Sequence, residues 1–352
     1  MSAAMHRLRQ RLGIEFPLLQ APMAGVQGHR LAAAVSHAGG LGALPCAMLS
    51  ADALRAEVQA LRVHDKGPYN LNFFCHPPPP AQPARLQAWR EYLRDDYRAL
   101  DLDPGQIVTQ SERRPFDADT AGVLETLQPP VISFHFGLPA PDLLARLRHW
   151  PCTIIASATT VDEACWLQQR GVDAIIAQGA EAGGHRGMFL TDEVSTQMGL
   201  FALLPQICAA VDVPVIAAGG IADADGVAAA IALGAAGVQV GTAYLLCPEA
   251  DTSELHRQAL ASDAARQTAI SNVFTGRPAR GIVNHAMRAW GPLNPAVPDF
   301  PLAAAVSAPL RQAAEARGSS DYSAHWAGES AARCRPIPAA ILTRELARGF
   351  PD

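Results

Sequence analysis

The stretch PVIAAGGIADADGVAAAIALGAAGVQVGT, residues 214–242, carries the fold in miniature. A short apolar run, Pro214–Ala218, ends on Gly219-Gly220. A helical segment with apolar positions at 3.6-residue spacing, Asp223–Leu233, follows, and then a second apolar run, Val238–Thr242. Parallel strands buried on both faces read as continuous apolar runs, and a helix is the usual way to return the chain between them. Asp223 or Asp225 is placed to cap that helix.

The same alternation recurs along the chain. Candidate strands lie at Pro17–Gln20, Gly42–Pro45, Tyr69–Phe74, Val131–His135, Thr153–Ser157 and Ala174–Gln178, which with the two above makes eight. Amphipathic segments such as Leu54–Val63 and Val161–Arg170 lie between them. Eight strand–helix units predict an α/β fold, a (β/α)8 TIM barrel, with an open doubly wound sheet as the alternative that periodicity leaves. Two stretches exceed the minimal unit. Residues 75–130 form a long excursion after the third strand, with a proline run and a predicted helix over Arg85–Leu100; it reads as a wall or lid, or as surface decoration. Residues 248–318 read as a smaller, mainly helical inserted domain, with a helix over Glu254–Ala269. The barrel then comprises 1–247 and 319–352, closed by a last helix over Ala339–Arg348.

Composition narrows the function. Apolar residues make up 49% and charged residues 17%, enough for a large core. A net charge of −5, with Lys66 as the only lysine, gives no reason to expect nucleic acid or an anionic membrane as a partner. Seven cysteines without a C-x-x-C pair argue against disulfides and metal. The start MSAAMHRLRQRLGIEF has no apolar core of a signal peptide, and no run reaches the length of a membrane span. The expectation is a cytoplasmic protein with a small-molecule partner; a homodimer is compatible with it.

In a barrel the chemistry collects where strands end. Those ends are small or polar here: Met23 after the first strand, Asn72 on the third, Ser133 and His135 on the fourth, Ser157 on the fifth and Gln178 on the sixth. Gly219-Gly220 follows the seventh and Gln239-Val240-Gly241-Thr242 closes the eighth. Glycines at strand ends let backbone N–H groups approach a phosphate, and a helix start adds its positive dipole end. With Gly183-Gly184 after strand six, they point to a phosphate-bearing cofactor. Carboxamides such as Asn72, Gln178 and Gln239 both donate and accept, which suits a flavin edge. His185 stands in the glycine-rich segment QGAEAGGHRG (178–187), where imidazole can exchange protons or stabilise developing charge. Arg186 beside it would attract an anion or pair with Glu181.

Taken together, APMAG (21–25), NLNFF (70–74), SFHFG (133–137), QGAEAGGHRG (178–187), AAGGI (217–221), QVGTAYL (239–245) and DYSAHWAGES (321–330) resemble the motifs of the nitronate monooxygenase family, formerly 2-nitropropane dioxygenases. The resemblance spans nearly the whole chain in barrel order. It implies non-covalent FMN, contacted by Met23, Asn72, Gln178, Gly183, Gly220, Gln239, Val240, Gly241 and Thr242, with the phosphate among Gly183, Gly220, Gly241 and Thr242. It implies His185 as the catalytic residue, with Tyr322 and Trp326 near the flavin or substrate; His135, in ISFHFG, is read from the residues as a weaker candidate for the same pocket. Glu329 stands where the family pattern has Gln. The implied reaction is oxidative denitrification of alkyl nitronates, propionate 3-nitronate foremost, with O2, giving carbonyl compound and nitrite. The rivals are an FMN-dependent NAD(P)H reductase on the same scaffold, an enoyl-ACP or quinone reductase, and a non-catalytic flavin-binding protein. No G-x-G-x-x-G motif supplies a nicotinamide site.

Overall fold

Eight apolar segments, too short to be stable alone, gain their hydrogen bonds by lying side by side in parallel. The computed structural model describes residues 2–64, 67–103 and 113–351; Lys66 and residues 104–112 of the long excursion lie outside them. The strands are β1 (Leu18–Gln20), β2 (Gly42–Pro45), β3 (Tyr69–Phe74), β4 (Val131–His135), β5 (Thr153–Ala158), β6 (Ala174–Gln178), β7 (Gly184–His185), β8 (Val215–Ala218), β9 (Gly237–Val240), β10 (Thr268–Ser271) and β11 (Ala279–Ile282). The large sheet runs β1-β9-β8-β6-β5-β4-β3-β2, every pair parallel. Its two edges meet at Leu19 and Leu41, where Leu41 N–H donates to Leu18 O at 2.8 Å and Gln20 N–H to Leu41 O at 2.9 Å. That contact closes the ring and rules out the open sheet.

The barrel interior is filled from below. Leu19, Leu41, Val131, Ile155, Ile176 and Ile216 cluster with Leu8 and Leu12 of the N-terminal helix Ala3–Leu12. Val131 begins β4, Leu41 just precedes β2 and Ile216 is the second residue of β8, so the helix packs toward the N-terminal end of the barrel. Burying leucines such as Leu8 and Leu12 contributes about 1.5–3 kcal/mol each. The polar strand ends gather at the other, C-terminal end.

A second core lies over that end. Trp89, Leu93 and Tyr97 of the excursion pack with Phe274, Met287, Trp290, Val306, Leu310 and Tyr322. The helices Pro83–Tyr92 and Arg94–Ala99 therefore bury their aromatic faces against the helix Leu302–Ala316 instead of decorating the surface. Asp96 ties the parts together, accepting from Trp290 Nε1 at 2.9 Å and Tyr322 OH at 2.8 Å.

The expected helix Glu254–Ala269 is corrected by the structure. It ends at Leu260; a short turn, Asp263–Arg266, leads into β10, which pairs antiparallel with β11. The alanines there favour a helix locally, but pairing satisfies the backbone of 268–271 at the edge of a small sheet. The inserted region is thus less helical than its composition suggests. β11 also pairs with β7, placing Ala279 opposite His185.

Candidate active site

One cavity of about 660 Å³ opens at the C-terminal ends of the barrel strands, beneath the second core. The flavin, catalytic and substrate-near residues selected from the sequence line it: Met23 after β1, Asn72 on β3 and His135 on β4; Gln178, Gly183 and His185 from β6 and its loop; Gly220 after β8; Gln239 and Val240 on β9 with Gly241 and Thr242 after it; Tyr322 and Trp326 from the tail.

The loop 178–187 is held from several sides. Gln178 Nε2 donates to His185 O at 3.0 Å, and Gln178 Oε1 accepts from Gly187 N–H at 2.7 Å. His135 Nε2 lies 3.1 Å from the same His185 carbonyl, and its Nδ1 3.1 Å from Ser157 Oγ. Burial pushes the His135 ring down to about 4, so it is neutral at neutral pH and donates from Nε2 to the carbonyl. Gln178 and His135 are therefore both committed to fixing the main chain of His185. Asn72 donates to Ser133 Oγ at 2.8 Å. Gln239 Oε1, by contrast, is buried without a hydrogen-bond partner.

His185 sits in an aromatic box. Phe300, Trp326, Phe136 and Phe74 have ring centroids 5.3, 5.4, 6.0 and 6.4 Å from its own. Burial lowers its pKa well below the usual histidine value, and the positive charge of Arg113 adds to this. His185 Nε2 lies 2.9 Å from Thr275 Oγ1, and that hydroxyl donates to Arg277 O at 3.4 Å. The hydroxyl oxygen then accepts from Nε2–H, so the lone pair of the neutral ring resides on Nδ1.

The opposite end of the cavity is walled by glycine and hydroxyl groups. Gly183 passes so close to the tail segment that a Cβ there would come within 2.5 Å of Gly328 N and 2.6 Å of Ala327 C. Gly328 N–H donates to Thr242 Oγ1 at 2.9 Å, and Ser330 Oγ to Gly220 O at 2.6 Å. Gly220 has φ +71°, left-handed backbone open to glycine, and leads into the helix Ala224–Ala232, whose N-cap is Asp223, accepting from Gly226 N–H.

Two expectations change. Arg186 is fully buried and turned away from the cavity, donating to Gln197 Oε1, Gly179 O and Gln178 O at 2.8–2.9 Å. It neither attracts an anion into the cavity nor pairs with Glu181, which instead accepts from Leu200 N–H at 2.8 Å. Glu329 turns to Arg280, at 3.0 Å, so the departure from Gln falls outside the cavity wall. The sequence reading missed Arg113, Thr275, Phe300 and the face of the helix Leu302–Ala316 bearing Ala304, Ala308 and Arg311. They approach from segments far away in the chain, and no local pattern marks them.

Among the described residues there is no cluster of three or more metal-ligating side chains and no helix long and apolar enough to cross a membrane. Fold and site define a (β/α)8-barrel enzyme that works at the C-terminal ends of its strands. The chain belongs to the nitronate monooxygenase family of oxidoreductases, whose family model, described as nitronate monooxygenase, matches residues 5–349. It is 42% identical to a nitronate monooxygenase of Paraburkholderia phytofirmans, over 96% of this chain and 93% of that one. To the nitronate monooxygenase of Pseudomonas aeruginosa it is 40% identical, over 97% of each. Among solved structures, a nitroalkane oxidase from Streptomyces ansochromogenes superposes with a TM-score of 0.88 at 36% identity, over 97% of this chain and 96% of that one. FabK from Thermotoga maritima gives 0.71 at 26%, over 98% and 95%. The barrel read from the strand pattern and the family read from the motifs both stand.

Proposed function

We propose that this protein uses FMN and O2 to convert alkyl nitronates, propionate 3-nitronate foremost, to a carbonyl compound and nitrite. The observation that carries the reading is the state of His185: a neutral ring in an aromatic box at one end of a cavity whose other end is a glycine and hydroxyl cradle.

The residues present fit FMN. A cavity of about 660 Å³ is within the range of cofactor and ligand sites. The cradle of Gly183, Gly220, Gly241 and Thr242 would take the phosphate. The unpartnered Oε1 of Gln239 offers an acceptor to a flavin N–H, and Met23, Asn72 and Val240 would lie along the ring. Gln178 contributes through the loop it holds. Bound there, FMN supplies the redox chemistry.

The side chains select the form of the substrate. A ring that resists protonation as strongly as His185 is a poor acceptor for a carbon-bound proton. The site therefore suits a nitronate that arrives already ionised better than its parent nitroalkane. Phe74, Phe136, Phe300 and Trp326 keep water from the reacting end.

The test is nitrite release in air by FMN-loaded protein given propionate 3-nitronate, beside anaerobic mixing with the nitronate and, separately, with NADH or NADPH. Nitrite formation, with flavin absorbance changing on nitronate but not on NAD(P)H, is expected. Fast bleaching by NAD(P)H without a nitronate response would establish a reductase. A protein that cannot be loaded with FMN would overturn both.

A further inference from the structure

We propose that His256 and His325 form a hydrogen-bonding subsite for a carboxylate at the end of the substrate remote from its nitronate. This rests on the nitronate reading and names the part of the substrate that a second side of the same cavity holds.

The two histidines come from segments far apart in the chain. His256 is on the helix Glu254–Leu260, and His325 is in the tail, where its carbonyl accepts from Ile282 N–H of β11 at 2.9 Å. Their rings stack with centroids 4.6 Å apart and planes 4° from parallel. Both residues line the cavity, yet they are only 4% and 6% exposed. Among the described residues neither ring has a hydrogen-bond partner, and Nε2 of His256 is fully buried.

Two phenylalanines would make the same stack without leaving polar atoms unserved. Buried nitrogens without partners are costly, so a pair of such rings at one cavity calls for a ligand. Burial pushes His256 down to about 3 and His325 to about 4, so both rings are neutral at neutral pH. Each neutral imidazole carries one N–H, and the pair therefore offers two donors. With no cluster of three or more metal-ligating side chains among the described residues, the pair is not a metal site.

A carboxylate has two oxygens to receive two N–H groups, and hydrogen bonds to a charged acceptor are the strong ones. Glu315, whose charge acts on His325, is engaged elsewhere: it accepts from Ser323 Oγ at 2.8 Å and pairs with Arg311 at 3.6 Å. Trp326, next to His325 in the chain, has its ring 5.4 Å from that of His185. The tail thus presents one residue to the reacting end and its neighbour to the histidine pair. Propionate 3-nitronate, with its carboxylate at the opposite end from the nitronate, matches that division.

The test uses the FMN-loaded protein with H256F, H325F and H325N. The Phe variants keep a planar ring in the stack and delete both nitrogens of one residue, while H325N restores an N–H. The constant kcat/KM is measured for propionate 3-nitronate and for propyl 1-nitronate, which lacks the carboxylate. Succinate, with a carboxylate in place of the nitronate, is titrated through the flavin absorbance. Each Phe variant should lower kcat/KM for propionate 3-nitronate, and raise the succinate Kd, by roughly 10- to 100-fold, the order for a hydrogen bond to a charged group. The loss on propyl 1-nitronate should be far smaller. Flavin content and Tm should stay as in the wild type, and H325N should recover part of the loss. Equal losses on both nitronates, or no loss on either, would overturn the subsite. A wild type that binds succinate through the two histidines yet releases no nitrite from either nitronate would overturn the reaction and leave the subsite standing. A wild type that neither binds succinate nor turns over a nitronate would overturn both.

Discussion

Gly183→Ala tests whether the tail segment is a wall of the cofactor site or merely lies near it. The added Cβ would meet Gly328 N at 2.5 Å, Ala327 C at 2.6 Å and Ala327 Cα at 2.9 Å. These are backbone atoms, so no rotamer change relieves the contact. Restoring ordinary carbon contacts requires the segment to recede by about 1 Å. Three bonds resist that movement: Gly328 N–H to Thr242 Oγ1 at 2.9 Å, Glu329 N–H to Glu181 O at 3.0 Å and Ser330 Oγ to Gly220 O at 2.6 Å. Stretching one or two of them, at about 1 kcal/mol each, beside the usual cost of overpacking, gives about 2–3 kcal/mol in all. Two of the three end on Thr242 and Gly220, the cradle itself, so the loss should appear in cofactor binding as roughly 30- to 150-fold weaker FMN affinity. The assay is titration of apo-protein with FMN by fluorescence quenching, with Tm measured beside it. Gly171→Ala is the control, because Gly171 has φ +77° with nothing within 4 Å of its added Cβ. It should cost about 1–2 kcal/mol of stability through backbone strain alone and leave FMN affinity unchanged. FMN binding to Gly183→Ala within threefold of wild type, with an unchanged Tm, would refute the reasoning.

Other expectations follow from the same geometry. His185→Asn should keep FMN and lose turnover by about 10²-fold, because it removes the ring held in place at the reacting end of the cavity; unchanged kcat would remove His185 from the mechanism. Thr275→Val deletes the acceptor of His185 Nε2–H, and kcat/KM should fall by about tenfold, with Thr275→Ser restoring it. A loss shared equally by both variants would show that the methyl group matters and not the hydroxyl. Stability should decline on mild acidification. His76, His135 and His325, at about 4, and His256, at about 3, lie below the ordinary value of 6.5 because burial disfavours their charged forms. Their contribution is complete above pH 6.5 and falls as the unfolded chain takes up protons first, until the folded rings titrate near pH 4. At pH 5 that is about 1–2 kcal/mol per ring. A Tm that stays flat between pH 7 and pH 5 would count against it.

What could be read in advance divides along a physical line. The barrel strands were legible because a parallel strand buried on both faces must be apolar along its length and must end in a turn; Ala174–Gln178 and Val131–His135 match residue for residue. The strand ends were legible because polar residues such as Asn72, Gln178 and Gln239 have no packing reason to stand there. Direction was not legible. Arg186 follows His185 in the chain, yet its guanidinium turns to the carbonyls behind the loop, and the arginines that line the cavity, Arg113 and Arg311, come from segments far away in the chain. Composition could not show that Trp89 and Tyr97 share a core with Trp290 and Val306, because that contact joins two excursions separated by half the barrel. Nor could periodicity find a two-residue strand, Gly184–His185, whose existence depends on β11 lying beside it. That last pairing matters most for the chemistry. A histidine in a free glycine loop would sample many orientations, and its ring would reach a substrate only part of the time. Here β11 pairs with its main chain, Gln178 and His135 both donate to its carbonyl, and Thr275 holds its Nε2. The glycines admit a ligand to the loop, while partners from the barrel and the second core remove the freedom those glycines would otherwise give it.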